Sequence, residues 1–322
     1  MVEHATVEPQ ASAACAESDY DREFRELVAR TRAAKYRPAA IARFVVEMVR
    51  AKFVDLARMP DVRRSFMRVN LGCLAGLLLY YALLSSRVPL RGFLHAAIVH
   101  AIFFALTFPL VLLNLHRLKN PPPGEGPGHD RFYSPNTVTY ARLQAIPLLI
   151  VGFGDPLFAP AMRFCFVAYV ALALSDSLDG ILARATKRGS YFGRALDPFV
   201  DIVFHVSLAS TLAINSMVPW WLAAPVILRY ALPLALAFVY LVWRGGHRVD
   251  ATWFGKLGAV FVGAALGLAI LDAALAPDGL PAIWLRRYWI VTSAVLIANI
   301  GYILWAGMQI IHRREGVLEA NP

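Results

Sequence analysis

Long apolar blocks, separated by short polar connections, fill most of this chain. A helix needs about 20 mostly apolar residues to cross the ~30 Å hydrocarbon core of a bilayer. Eight stretches approach that length: 71–86, 93–115, 138–153, 162–182, 195–217, 219–243, 257–275 and 288–311. They predict an all-α polytopic membrane protein. Residues 21–68 follow another pattern, with apolar and basic side chains at helical spacing, as in Ile41, Arg43, Phe44, Val45, Met48 and Arg50. Such helices either lie on a membrane surface or form a plain cytoplasmic hairpin. The first 20 residues are polar and read as disordered.

The connections give the orientation. Basic residues gather in the N-terminal region up to Arg68, at His116–Lys119, Arg184–Arg188, Arg244–Arg248 and His312–Arg314. The opposite connections at 154–160, 217–219 and 276–282 carry no Lys or Arg; Arg87, Arg91, Arg286 and Arg287 are mild exceptions. By the positive-inside rule, both termini lie in the cytoplasm. The N-terminal stretch also lacks the basic and apolar regions of a signal peptide. A run of prolines and glycines at 121–128 separates two spans from six. The predicted organisation is a cytoplasmic region (1–68), a two-span region (69–120), a linker (121–130), a six-span core (131–312) and a tail (313–322).

Composition agrees: 58% of the 322 residues are hydrophobic and only 17% are charged, against about 25% charged in soluble domains. The net charge of +10 follows from the basic cytoplasmic loops. With no module of interleaved aromatic and basic residues, nucleic-acid binding is excluded. Cys15, Cys73 and Cys165 lie too far apart for a metal motif and read as small apolar fillers.

Chemistry concentrates in one place. Asp176, Asp179, Asp197 and Asp201 sit in or beside apolar spans, where ionisable groups are costly and point to function. At about 100° per residue, Asp176, Asp179, Gly180 and Ala183 share one helix face, and Gly193, Asp197 and Asp201 share another. The short basic loop between the two helices predicts antiparallel neighbours whose acidic faces meet near the cytoplasmic surface. One pair of carboxylates at about 4 Å and an effective dielectric of ~20 repels by roughly 4 kcal/mol, so a cation has to compensate. Hard oxygen ligands favour Mg2+ or Mn2+, and two ions would balance four carboxylates. Gly180 and Ala183 leave room for a bulky ligand, Gly193 allows a backbone to approach, and Arg184 is placed to reach a phosphate.

The spacing D-x2-D-G-x2-A-R-x8-G-x3-D-x3-D, from Asp176 to Asp201, resembles the signature of the CDP-alcohol phosphotransferases, with every position filled. The run from Pro135 through Asn136, Thr139 and Tyr140 to Arg142 is similar to the segment that opens the first core helix of that family. The resemblance covers about 130–312 and implies a six-helix core, preceded here by two additional transmembrane helices. It also implies roles. Asp176, Asp179, Asp197 and Asp201 would hold metal, and Asp201 would take the proton of the acceptor hydroxyl. Asn136, Thr139, Gly180, Ala183, Arg184, Ser190 and Gly193 would surround the CDP-linked lipid, CDP-diacylglycerol. The reaction would release CMP. A homodimer with a groove open to lipid is implied as well, in a bacterial inner membrane with its active site at the cytoplasmic face.

For the acceptor, Arg229 lies inside a span and Lys256 enters the next one from the cytoplasmic side. Together they suit a phosphate, which favours glycerol 3-phosphate as in the phosphatidylglycerophosphate synthases. In many of those a lysine follows the last aspartate, whereas Ile202 stands here. Inositol phosphate, phosphatidylglycerol and serine stay open as acceptors. Two readings from other classes also stay open: an ion-coupled transporter using the carboxylates as its ion site, and a catalytically silent membrane interaction protein. His205, one turn after Asp201, reads as a supporting or packing histidine, and Asp272 is given no chemistry.

Overall fold

The computed structural model describes residues 19–118, 131–132, 134–186, 190–244, 253–276 and 278–319. Among them are ten α-helices and no strand. The linker with its proline run and the first 18 residues lie outside the described set. The chain divides into two units, Met1–Ala51 and Lys52–Pro322.

In the first unit, α1 (Asp19–Ala33) leads into a tight turn and then into α2 (Pro38–Ala57), whose last residues, from Lys52 on, belong to the second unit. The turn closes by donation from the Tyr36 N–H to the Thr31 carbonyl (3.1 Å). Lys35 and Tyr36 take the left-handed conformation there, with φ of 50° and 52°, as helix C-termini commonly do. Ile41, Val45 and Val46 on α2 are exposed.

The second unit holds α3 (Pro60–Leu84), α4 (Leu90–Asn114), α5 (Ser134–Gly154), α6 (Met162–Thr186), α7 (Tyr191–Ile214), α8 (Trp220–Arg244), α9 (Trp253–Leu275) and α10 (Ala282–Glu319). Among the described residues, seven helices are long and apolar enough to cross a membrane. These are α3 to α7, α9 and α10, while α8 contributes a shorter apolar stretch, Trp220–Leu236. The chain is thus an all-helical, multi-pass membrane protein. The helix α3 begins at Pro60, well ahead of its apolar block. Proline suits the first helical position and Asp61 suits the first turn, so polar residues continue the helix downward where hydropathy alone finds none.

Contacts among α5 to α10 close into a ring. α5 packs on α6 and α7, α6 on α9, α9 on α10, α10 on α8, and α8 on α7. Helix α5 is the hub: 67% of its span is buried, against 6% for α3. Rather than lying directly on each other, as the short connecting loop suggests, α6 and α7 each pack chiefly along α5. The pair α3 and α4 joins this ring through α5. Phe66 of α3 is fully buried among Phe108 of α4, Phe132 and Tyr140, with ring centroids 5.6, 5.4 and 5.1 Å away. The Tyr140 hydroxyl donates to Asn70 Oδ1 at 2.6 Å, and the Phe132 N–H donates to Ser65 Oγ at 2.8 Å.

Candidate active site

The site is built where the N-terminal ends of α5 and α7 meet. Ser190 caps α7, its hydroxyl accepting from the Gly193 N–H at 3.0 Å. This satisfies one of the orphan donors of a helix start. The Asn136 amide of α5 donates to the same hydroxyl at 3.4 Å. Asn136, Thr139 and Ser190 are all buried, and the Thr139 hydroxyl donates to the Pro135 carbonyl at 3.2 Å. A β-carbon on Gly193 would lie 2.5 Å from Asn136 Oδ1, so only glycine lets the two helices come this close. Four of the residues expected around the CDP-lipid, Asn136, Thr139, Ser190 and Gly193, therefore lie at this junction.

Two turns further along α5, Arg142 faces the acids. One oxygen from each of Asp176, Asp197 and Asp201 lies within 4.8 Å of the others. Arg142 Nη1 donates to Asp176 Oδ1, and Nη2 donates to Asp201 Oδ1 at 2.9 Å and to Asp197 Oδ1 at 3.2 Å. The side chain of Arg142 is only 3% exposed, whereas those of Asp176, Asp197 and Asp201 are 48%, 48% and 34% exposed. A buried cation thus forms the floor of an open acidic basin. Among the described residues, three carboxylates thus face the one guanidinium of Arg142. The basin's donors are hard oxygens converging from two helices, a set that fits a divalent cation such as Mg2+ or Mn2+.

Gly180 lies one turn past Asp176 on α6 and is partly buried. The side chains of Asp179, Ala183 and Arg184 on α6, and of Lys256 on α9, lie outside the described set.

A second polar group adjoins the basin. His205 Nδ1 donates to the Asp201 carbonyl at 2.8 Å, which fixes its tautomer. Its ring stacks on Tyr230, with centroids 4.3 Å apart and planes 7° from parallel. The Arg229 guanidinium lies 4.6 Å from the centre of the Tyr230 ring. Arg229 is buried at the junction of α8, α9 and α10, where a β-carbon on Gly258 would sit 3.0 Å from its Nε and 3.4 Å from Asn299 Cγ. Arg229 is thus linked to Asp201 through two stacked rings. Arg142 is the residue that sequence reasoning left without a role. It had the same signal as Arg229, a lone arginine in an apolar helix.

The model of the CDP-alcohol phosphatidyltransferase family matches residues 132–308, more than half of the chain. Curated relatives point the same way. One from Pectobacterium atrosepticum is 31% identical over 131 residues, which is 39% of this chain and 70% of the relative. Another from Yersinia enterocolitica is 32% identical over 127 residues, 38% of this chain and 68% of the relative. A third, from Salmonella choleraesuis, is 26% identical over 194 residues, 58% of this chain and 98% of the relative. All three are named CDP-diacylglycerol–glycerol-3-phosphate 3-phosphatidyltransferase. Since the family match takes in the three carboxylates of the basin and Arg142 beneath them, the chain belongs to the CDP-alcohol phosphatidyltransferase family and is a membrane transferase of phospholipid biosynthesis.

Proposed function

We propose that this enzyme transfers the phosphatidyl group of CDP-diacylglycerol to the primary hydroxyl of glycerol 3-phosphate and releases CMP. The observation that carries this reading is the convergence of Asp176, Asp197 and Asp201 in a half-exposed basin. The names of the relatives support the acceptor.

Asp176, Asp197 and Asp201, together with Asp179, would hold two Mg2+ or Mn2+ ions, which when bound neutralise charge on the pyrophosphate. Asn136, Thr139, Ser190 and Gly193, with Gly180, Ala183 and Arg184, would surround the CDP-lipid. Asp201 accepts the proton of the acceptor hydroxyl. That oxygen bonds to the phosphorus next to the diacylglycerol, the bond from this phosphorus to the bridging oxygen breaks, and CMP leaves with that oxygen. Catalysis here is positioning and charge neutralisation. Arg229 and Lys256 pair with the phosphate of the acceptor. The six-span region 131–312 performs the reaction at the cytoplasmic face of a bacterial inner membrane, as a homodimer. Residues 1–68, 69–120, 121–130 and 313–322 form the cytoplasmic, two-span, linker and tail segments.

The test is CMP release by the purified chain with CDP-diacylglycerol and Mg2+ or Mn2+. Glycerol 3-phosphate, inositol phosphate, serine and phosphatidylglycerol are compared as acceptors, with Asp201→Asn as the control. Release with glycerol 3-phosphate alone, absent in the control, is the expected result. Release with another acceptor and none with glycerol 3-phosphate would refute the assignment of the acceptor while leaving the chemistry.

A further inference from the structure

Arg142 does more than fill the floor of the basin. Its two terminal nitrogens reach three carboxylates on two different helices, and they reach the Oδ1 atoms, the same kind of oxygen that a divalent ion would take. Its Nε is buried without a hydrogen-bond partner, so the guanidinium is held in this orientation by the acids it faces. Three carboxylates with oxygens within 4.8 Å of one another would repel one another without a cation between them. Arginine keeps its charge at every accessible pH, and its planar fork spans several oxygens at once.

We propose that Arg142 is a resident counter-cation of the triad. It holds Asp176, Asp197 and Asp201 in register when no divalent ion is bound, and it weakens ion binding by competing for the same oxygens. The proposal rests on the reading of the triad as a metal site. The assembled site then does not depend on metal for its shape, and its affinity for the ion is set by a residue of α5 that is not itself a ligand. Arg142 is on this view a positioning residue.

The test uses the full chain in detergent or nanodiscs, with two measurements besides activity. Thermal unfolding is followed in EDTA, and Mn2+ binding is followed by the electron paramagnetic resonance signal of the free ion. Arg142→Met is expected to melt below the wild type in EDTA and to bind Mn2+ roughly tenfold tighter or more, since a like charge has been removed from beside the ion. Arg142→Lys, with one compact charge in place of a fork, is expected to show smaller changes in the same directions. Mn2+ binding by Arg142→Met that is equal to or weaker than that of the wild type overturns the proposal. Should Arg142→Met fail to fold even with Mn2+, weaker binding by Arg142→Lys overturns it instead. Absence of Mn2+ binding in the wild type and in both variants would sink the metal reading itself. The melting temperatures in EDTA would then still decide whether Arg142 holds the triad together.

Discussion

Gly193 and Asn136 approach so closely that a β-carbon on the glycine would lie 2.5 Å from the asparagine side-chain oxygen and 3.4 Å from Ser190 Oγ. The contact joins the start of α7 to the start of α5, beside the proposed CDP-lipid site. Gly193→Ala must push Asn136 out of place. Displacing a positioning group by about 1 Å lowers turnover on the order of 100-fold. The expected result is a loss of roughly 10- to 100-fold in kcat/KM for CDP-diacylglycerol, measured by CMP release, in a protein that still folds. Unchanged kinetics would remove this contact from the substrate site.

Asp197 lies on α7 one turn before Asp201, and both accept from the same nitrogen of Arg142. Asp197→Asn keeps the shape and removes the charge. If the carboxylate holds a divalent ion, activity falls about 100-fold or more, and the Mn2+ needed for half-maximal rate rises. Full activity at an unchanged metal requirement would show that Asp197 is not a ligand.

The attachment of α3 to the ring rests on the aromatic cluster around Phe66 more than on the hydrogen bond of Asn70. Removing a fully buried phenylalanine side chain costs about 3 kcal/mol or more. Loss of one hydrogen bond costs about 1 kcal/mol. Phe66→Ala should therefore lower stability more than Asn70→Leu when unfolding is titrated with denaturing detergent in mixed micelles. The reverse ranking would place the anchor elsewhere.

Lys52, on α2 outside the membrane spans, is 5% exposed. Burial, aided by the nearby charge of Arg117 and opposed by Asp55, pulls its pKa down from 10.5 to about 7. Below pH 7 the lysine is protonated in both folded and unfolded chains, and the stability attached to it stays at its lower level. Between about pH 7 and 10.5 the unfolded chain keeps a proton that the folded chain has released, so stability rises with pH. Thermal unfolding from pH 6 to 9 should show a rise in melting temperature that Lys52→Met flattens. An identical slope in the variant would assign the pH dependence to other groups.

Much of this was readable before any coordinates. Apolar blocks marked the membrane helices, because a lipid-facing or core-facing helix must be apolar along its length. The spacing from Asp176 to Asp201 marked the site, because carboxylates in such helices have few structural reasons to exist. What the sequence concealed depends on packing. The start of α3 at Pro60 lies in polar sequence that a hydropathy window passes over. The place of α5 between α6 and α7 cannot be inferred from a short α6–α7 loop, which limits only how far apart two helix ends lie. The role of Arg142 follows from that place. It is 34 residues from Asp176 and 59 from Asp201, and no local pattern connects them. Asp272 is a further case. Its carboxylate accepts from the Leu280 N–H at 2.6 Å, closing the turn that contains Gly279 with φ of +45°, a structural task that its sequence position did not disclose.

The stratification of charge in the basin has a kinetic consequence. The guanidinium lies sealed at 3% exposure under carboxylates that are 34–48% exposed, so an arriving pyrophosphate meets the anionic layer first. Like charge repels it until that layer is neutralised from the open side. If the basin holds a divalent cation as proposed, that cation is expected to enter ahead of the nucleotide-linked lipid. Retention of a labelled CDP-lipid by the protein should vanish in EDTA and return with Mn2+. Equal retention in both would mean that the two ligands enter in either order.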